Sequence, residues 1–131
     1  MKSKTKWYGM HWIRDSKRIA IYLRDGLACV YCGTTLEEGK MSVDHIRVRS
    51  RGGSNSPTNL VTACLKCNKR RGERHLDVWL DIVVKDINPD TTVAELRKHI
   101  RNCTRRVLPI EQAKIVLANR IAKQQEEIEN K

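Results

Sequence analysis

Phenylalanine is absent from the chain, and tryptophan and tyrosine number three each. A core drawn from this composition is mainly aliphatic, and a small aliphatic core leaves the N-terminal half in need of another source of stability, such as a metal. Long apolar runs are also missing. No stretch approaches the roughly 18 uninterrupted apolar residues of a membrane helix, which excludes a spanning segment. The opening MKSKTKWYGMHWIRDSK is basic without the apolar centre of a signal peptide. The expected location is therefore cytoplasmic and reducing, where the five cysteines are not expected to form a disulfide framework.

Acidic residues are scarce in one part only. Residues 1–72 hold 15 Lys and Arg against 5 Asp and Glu, whereas residues 73–131 hold 11 against 10. The net charge of +11 is thus almost all in the first part. A basic module beside a near-neutral one points to a polyanionic partner for the former.

Three stretches follow from this reading: a basic arm over 1–15, a compact module over 16–75 and a helical extension over 76–131. In the arm, Trp7, Tyr8 and Trp12 are the candidate anchors. The stretch SKRIAIYLRDG predicts a short helix capped by Ser16 and ended by Gly26. KMSVDHI and VTAC predict two short strands, separated by the loop SRGGSNSPTNL. Helical periodicity resumes at LKCNKRRGERHLDVWLDIVV, with Gly72 as a kink and Leu76, Trp79, Leu80, Val83 and Val84 as an apolar stripe. Thr92 and Glu95 predict a capping box before a helix carrying Val93, Leu96, Ile100, Cys103 and Val107. Pro109 opens a last helix with Ile110, Ala113, Leu117 and Ile121 on one side. This half reads as a helical hairpin that packs on the basic module or, as a homodimer or partner contact, on another chain.

Cys29 and Cys32 form one C-x-x-C, and Cys64 and Cys67 form a second. Four thiolates suit tetrahedral zinc with no open position, a structural rather than a catalytic arrangement. Unrelated reduced thiols or a redox pair are the alternatives. Cys103 falls on the apolar stripe and reads as a small buried hydrophobe.

Between the knuckles lie Asp44, His45 and Asn59, and just beyond the last cysteine lies Asn68. A carboxylate and a carboxamide oxygen suit a hard divalent cation, which keeps its remaining positions for water and phosphate. A neutral imidazole beside such an ion is a candidate acceptor for a proton from water. Strict strand alternation sends Asp44 and His45 to opposite faces, so both reach one phosphate only where the strand ends. The same alternation lines up His45, Arg47, Arg49 and Arg51, a row suited to a phosphate backbone. His75, the rival ligand, lies roughly 10 Å along a continuous helix from Asn68, too far to share its ion.

Together CVYC, VDHI, GG, NL and CLKCNKRRG, preceded by RDG, resemble the HNH endonuclease family in its zinc-stabilised branch, over Arg24 to Gly72. The resemblance implies an α+β fold: a ββα-metal core with a structural Zn2+ held by Cys29, Cys32, Cys64 and Cys67, followed here by helices. It implies hydrolysis of DNA phosphodiesters to 5′-phosphate and 3′-hydroxyl ends. His45 is then the general base, Asp44 a ligand of the catalytic ion, and Asn59 the residue that holds the loop and orients the base. Asn68 stands at the last position of the motif, often histidine, which favours hard Mg2+ or Mn2+. Arg47, Arg49, Lys69, Arg70 and Arg71 are the expected phosphate contacts. The competing expectations are a non-catalytic zinc module that binds nucleic acid or protein, and an enzyme that cuts RNA.

Overall fold

The computed structural model describes residues 14–37 and 39–130. The expected arm, with Trp7, Tyr8, His11 and Trp12, lies outside the described residues, apart from its last two positions.

Helix α1 spans Asp15–Arg24, two residues earlier than Ser16 capping predicts, and Arg14 precedes it without a side-chain cap. Asp15 in the first turn complements the positive end of the helix instead. Strands β1 (Met41–His45) and β2 (Leu60–Cys64) pair antiparallel, with Met41 opposite Cys64 and His45 opposite Leu60. Helix α2, Leu65–Arg71, follows β2 without a break, because Cys64 serves as its N-cap and accepts a bond from the Cys67 amide. Gly72, at φ 56°, ends α2 in a backbone conformation that side chains rarely adopt. Helix α3 (Leu76–Ile82) then continues into a single π turn over Val83–Ile87.

Helix α4, Val93–Arg105, starts at the predicted capping box, with Thr92 and Glu95 bonded reciprocally at 3.1 Å each way. Val107 does not continue its stripe. The helix stops at Arg105 and Val107 is 90% exposed, as Leu108 precedes Pro109, whose ring disfavours helical backbone in the residue before it. Helix α5 covers Ile110–Glu129 and rests on α1 through Ala113, Val116 and Leu117. Ile121 stays half exposed, since the 10-residue α1 is too short to cover a 20-residue helix. No helix among the described residues is long and apolar enough to cross a membrane.

One core joins the cysteine knuckles to the helices. Cys29, Tyr31, Val61 and Cys67 pack with Trp79, Leu80, Val83, Leu96, Ile100 and Cys103. The expected boundary between residues 75 and 76 therefore runs through this core. The Tyr31 and Trp79 rings meet edge to face at 5.5 Å, a pairing that suits aromatic quadrupoles. Burial pushes the Cys103 thiol up to about 11, in keeping with a small apolar role.

The RDG stretch is a buried clamp. Arg24 pairs with Asp25 at 2.8 Å and donates to the carbonyls of Pro57 (2.9 Å) and Leu60 (2.6 Å). Asp25 accepts the Thr62 amide at 2.8 Å. The end of α1 is thereby tied to the turn that carries Asn59 and to β2.

Gly53 marks the closest backbone approach. A methyl group built on it lands 1.6 Å from the Arg47 carbonyl oxygen and 2.6 Å from its carbonyl carbon. Gly53→Ala is expected to destabilise the fold by about 1–3 kcal/mol, the usual cost of overpacking. Thermal denaturation should show a melting point lowered by several degrees, and an unchanged one would refute the close approach.

Candidate active site and metal centre

The four knuckle cysteines converge. Their sulfur atoms all lie within 4.8 Å of one another, close to the roughly 3.8 Å edge of a tetrahedron with 2.3 Å metal–sulfur bonds. Three hydrogen bonds bring them together: the Val30 amide bonds to Thr62 O at 3.0 Å, and the Cys32 and Cys67 amides each donate to the first sulfur of their own pair. The hydrogen bond from Cys67 holds the Cys29 thiol down to about 5, and the same bond pushes the Cys67 thiol up. Four soft donors, with Cys29 and Cys67 buried, fit a structural zinc with no position left for substrate.

Asp44, His45 and Asn68 meet in a different place, a cavity of about 430 Å³ that they line with Arg49, Ser50 and Glu73. Strand β1 ends at His45, so strict alternation does not keep Asp44 and His45 from lining one cavity. Asp44 is buried, and its Oδ2 receives the Tyr31 hydroxyl and, at 2.7 Å, Arg71 Nη1. Burial, reinforced by the Asp44 charge, pushes the Tyr31 phenol well above its ordinary range, so Tyr31 is the donor of that bond. Asp44 Oδ1 makes no hydrogen bond to any described residue. Asn68 donates Nδ2 to Ser42 Oγ at 2.9 Å, which likewise leaves its Oδ1 without a described partner. Asp44 and Asn68, each with one oxygen unspent on a described partner, thus line one cavity with His45, residue types that fit a Mg2+-type ion.

His45 Nε2 lies 2.7 Å from Asn55 Oδ1. A carboxamide oxygen only accepts, so Nε2 carries the proton and Nδ1 is left as the basic nitrogen. Asn55 is itself anchored, its carbonyl accepting from Lys17 of α1. Sequence reasoning passed over Asn55 because an asparagine in GSNSPTN reads as turn composition, and its pairing with a residue ten positions away has no periodic signature. Asn59 makes no hydrogen bond to the ring. Its Oδ1 accepts the Arg47 amide at 2.9 Å, and its Nδ2 donates to Arg47 O at 3.1 Å and Ser54 O at 2.8 Å, which closes the loop after His45.

Arg71 is the main correction among the expected phosphate contacts. Its side chain is fully buried and donates to Asp44, to His45 O at 2.7 Å and to Ile46 O at 2.6 Å. The basic run beside the site groups it with Lys69 and Arg70, but its side chain turns inward, to carbonyls at the end of β1 that a guanidinium satisfies. Breaking such a buried pair typically costs about 3–5 kcal/mol. Lys69 is exposed as expected, and the half-exposed Arg70 pairs with Asp86 at 3.0 Å. The row of arginines is also broken. A 3-10 turn over Arg49–Arg51 follows β1, so Arg49 lines the His45 cavity while Arg47 and Arg51 line another. His75 belongs to that second cavity and accepts the Asp77 amide at the start of α3.

The ββα arrangement with its four-cysteine centre and its Asp-His-Asn cavity falls in the stretch, residues 29–78, that matches the family model described as HNH endonuclease. Curated relatives of the chain include the CRISPR-associated endonuclease Cas9 of Actinomyces naeslundii, 40% identical over 66 residues covering 50% of this chain. The corresponding Cas9 of Corynebacterium diphtheriae is 30% identical over 80 residues covering 60% of this chain. The chain spans 6% and 7% of the length of those two relatives. The crystal structure of the Type II-C Cas9 enzyme from Actinomyces naeslundii aligns over 82% of this chain and 15% of that one, at 25% identity and a TM-score of 0.46.

Proposed function

We propose that the chain is a metal-dependent nuclease that hydrolyses phosphodiester bonds of DNA, with His45 as general base. The observation that carries this reading is the meeting of Asp44, His45 and Asn68 in one open cavity on a basic module. His45 Nδ1 takes a proton from the attacking water, while Asn55 holds the ring in the tautomer that keeps Nδ1 free. Asn59 keeps the loop closed so that the ring stays at the end of β1. Asp44 Oδ1 and Asn68 Oδ1 are the groups that would hold Mg2+ or Mn2+, which when bound supplies Lewis-acid polarisation of the phosphate. The Arg71 charge beside Asp44 opposes a second cation nearby, so ion affinity is modest and rises when the substrate phosphate is present. Arg49 and Lys69, exposed at and near the cavity, are the phosphate contacts. The four-cysteine zinc is structural in this scheme, and the helices after residue 75 complete the core on which the module rests.

Nicking of supercoiled plasmid by the zinc-loaded protein tests the reading. Cleavage is expected with Mg2+ or Mn2+ and none with a chelator selective for hard ions. A folded, zinc-loaded protein that leaves DNA intact under all these conditions is instead a non-catalytic zinc module, and cleavage confined to RNA offered in the same tube reassigns the substrate.

A further inference from the structure

A second cavity, of about 480 Å³, opens on the other flank of the loop that follows His45. The two cavities share only Val48. Exposed Arg47 and Arg51 and half-buried Arg97 contribute guanidinium groups to it, and His75 adds a ring. Asp77 is the one carboxylate among its lining residues, and Arg97 is ion-paired with it. Arg47 spends only its Nε, donating to Arg51 O at 2.8 Å. The Arg51 guanidinium makes no hydrogen bond or ion pair with a described residue. Beneath these groups lie the less exposed side chains of Ile46, Val48 and Leu76.

Arg71 also lines the cavity but is spent on Asp44 and the carbonyls of His45 and Ile46; the other three cations against one acid, above an apolar floor, are costly to gather unless an anion is received there, since like charges in one concavity repel. The acid present neutralises a single guanidinium. The apolar floor lowers the local dielectric and strengthens whatever charge pairing occurs above it. Guanidinium groups, moreover, present the forked donors that match phosphate oxygens. The 3-10 turn is the cause of the arrangement: by turning Arg49 to one flank and Arg47 and Arg51 to the other, it makes the loop a ridge with basic groups on both sides.

We infer that Arg51 and Arg97, with Arg47, form a second phosphate subsite that holds a backbone phosphate of the same DNA strand away from the bond presented to His45. The inference rests on the nucleic-acid part of the proposed function but not on its chemistry. Its role is register: a strand gripped on both sides of the ridge cannot slide past the base. Arg97 extends the basic surface onto α4, within the half of the chain whose charges nearly cancel.

The test measures binding without cleavage, in the His45→Ala protein with duplex DNA across a salt series. Arg51→Gln/Arg97→Gln is compared with Lys98→Gln/Arg101→Gln, a pair that removes the same charge from exposed positions of α4. Each phosphate that is no longer neutralised lowers the slope of log affinity against log salt by about 0.9, so loss of this one phosphate contact in the first pair is expected to lower it by about 0.9 and the second pair to leave it near the parent value. Equal changes in both pairs, no change in the first, or a parent that does not bind duplex would each overturn the subsite. Plasmid nicking by the chain with His45 intact is scored separately. A lowered slope in a protein that never cuts leaves the subsite standing and removes only the nuclease reading.

Discussion

A His45→Ala protein is expected to bind DNA as the parent does and to cut it about 10²–10⁴-fold more slowly, the usual contribution of a positioned general base. The separation of binding from turnover follows from where the ring sits. His45 ends β1, is half buried, and spends one nitrogen on Asn55. The guanidinium groups that face solvent around both cavities belong to other residues. Removing the imidazole therefore takes away the proton acceptor and little of the charged surface. Single-turnover cleavage at saturating DNA measures the first quantity, and equilibrium titration measures the second. A replaced protein that melts like the parent and cuts at the parental rate would assign the base elsewhere.

The second large effect concerns the sulfur centre. Stripping zinc with a strong chelator, or replacing Cys67 with serine, is expected to abolish the cooperative melting transition. Zinc bound by four thiolates stabilises small folds by about 10–16 kcal/mol, which matches or exceeds the 5–15 kcal/mol that typical domains possess in total. The effect is not confined to the knuckles, because Cys29 and Cys67 lie in the same core as Trp79, Leu80 and Ile100. Tyr31, between Cys29 and Cys32 in the chain, also bonds directly to Asp44. Loss of the metal thus loosens the core and the cavity together. Far-UV circular dichroism with a parallel zinc assay reads the outcome, and a metal-free protein that keeps its transition would show that the aliphatic core suffices alone.

What the sequence disclosed and what it withheld divide along physical lines. The paired cysteines were legible because metal spacing is local, and the Thr92–Glu95 cap was legible because it repeats a short backbone geometry. Asp44, His45 and Asn68 were legible through motif spacing, although alternation along a strand argued against the first two sharing a cavity. The strand end at His45 removes that conflict. Arg71 was misplaced because a charge on a basic helix reads as surface until the carbonyls it must satisfy are known. Asn55 and Arg97 were invisible for a related reason: each acquires its meaning from a partner that no local pattern connects to it.

The Arg71 side chain carries a consequence for how this protein can change. A single planar cation closes off the carbonyls at the end of β1 and also fixes one oxygen of the carboxylate in the cavity. Lysine, a point charge on a flexible stem, cannot span those acceptors at once. The backbone at the end of β1 and the carboxylate of the cavity are therefore held by the same group of atoms, so any replacement at that position disturbs both together.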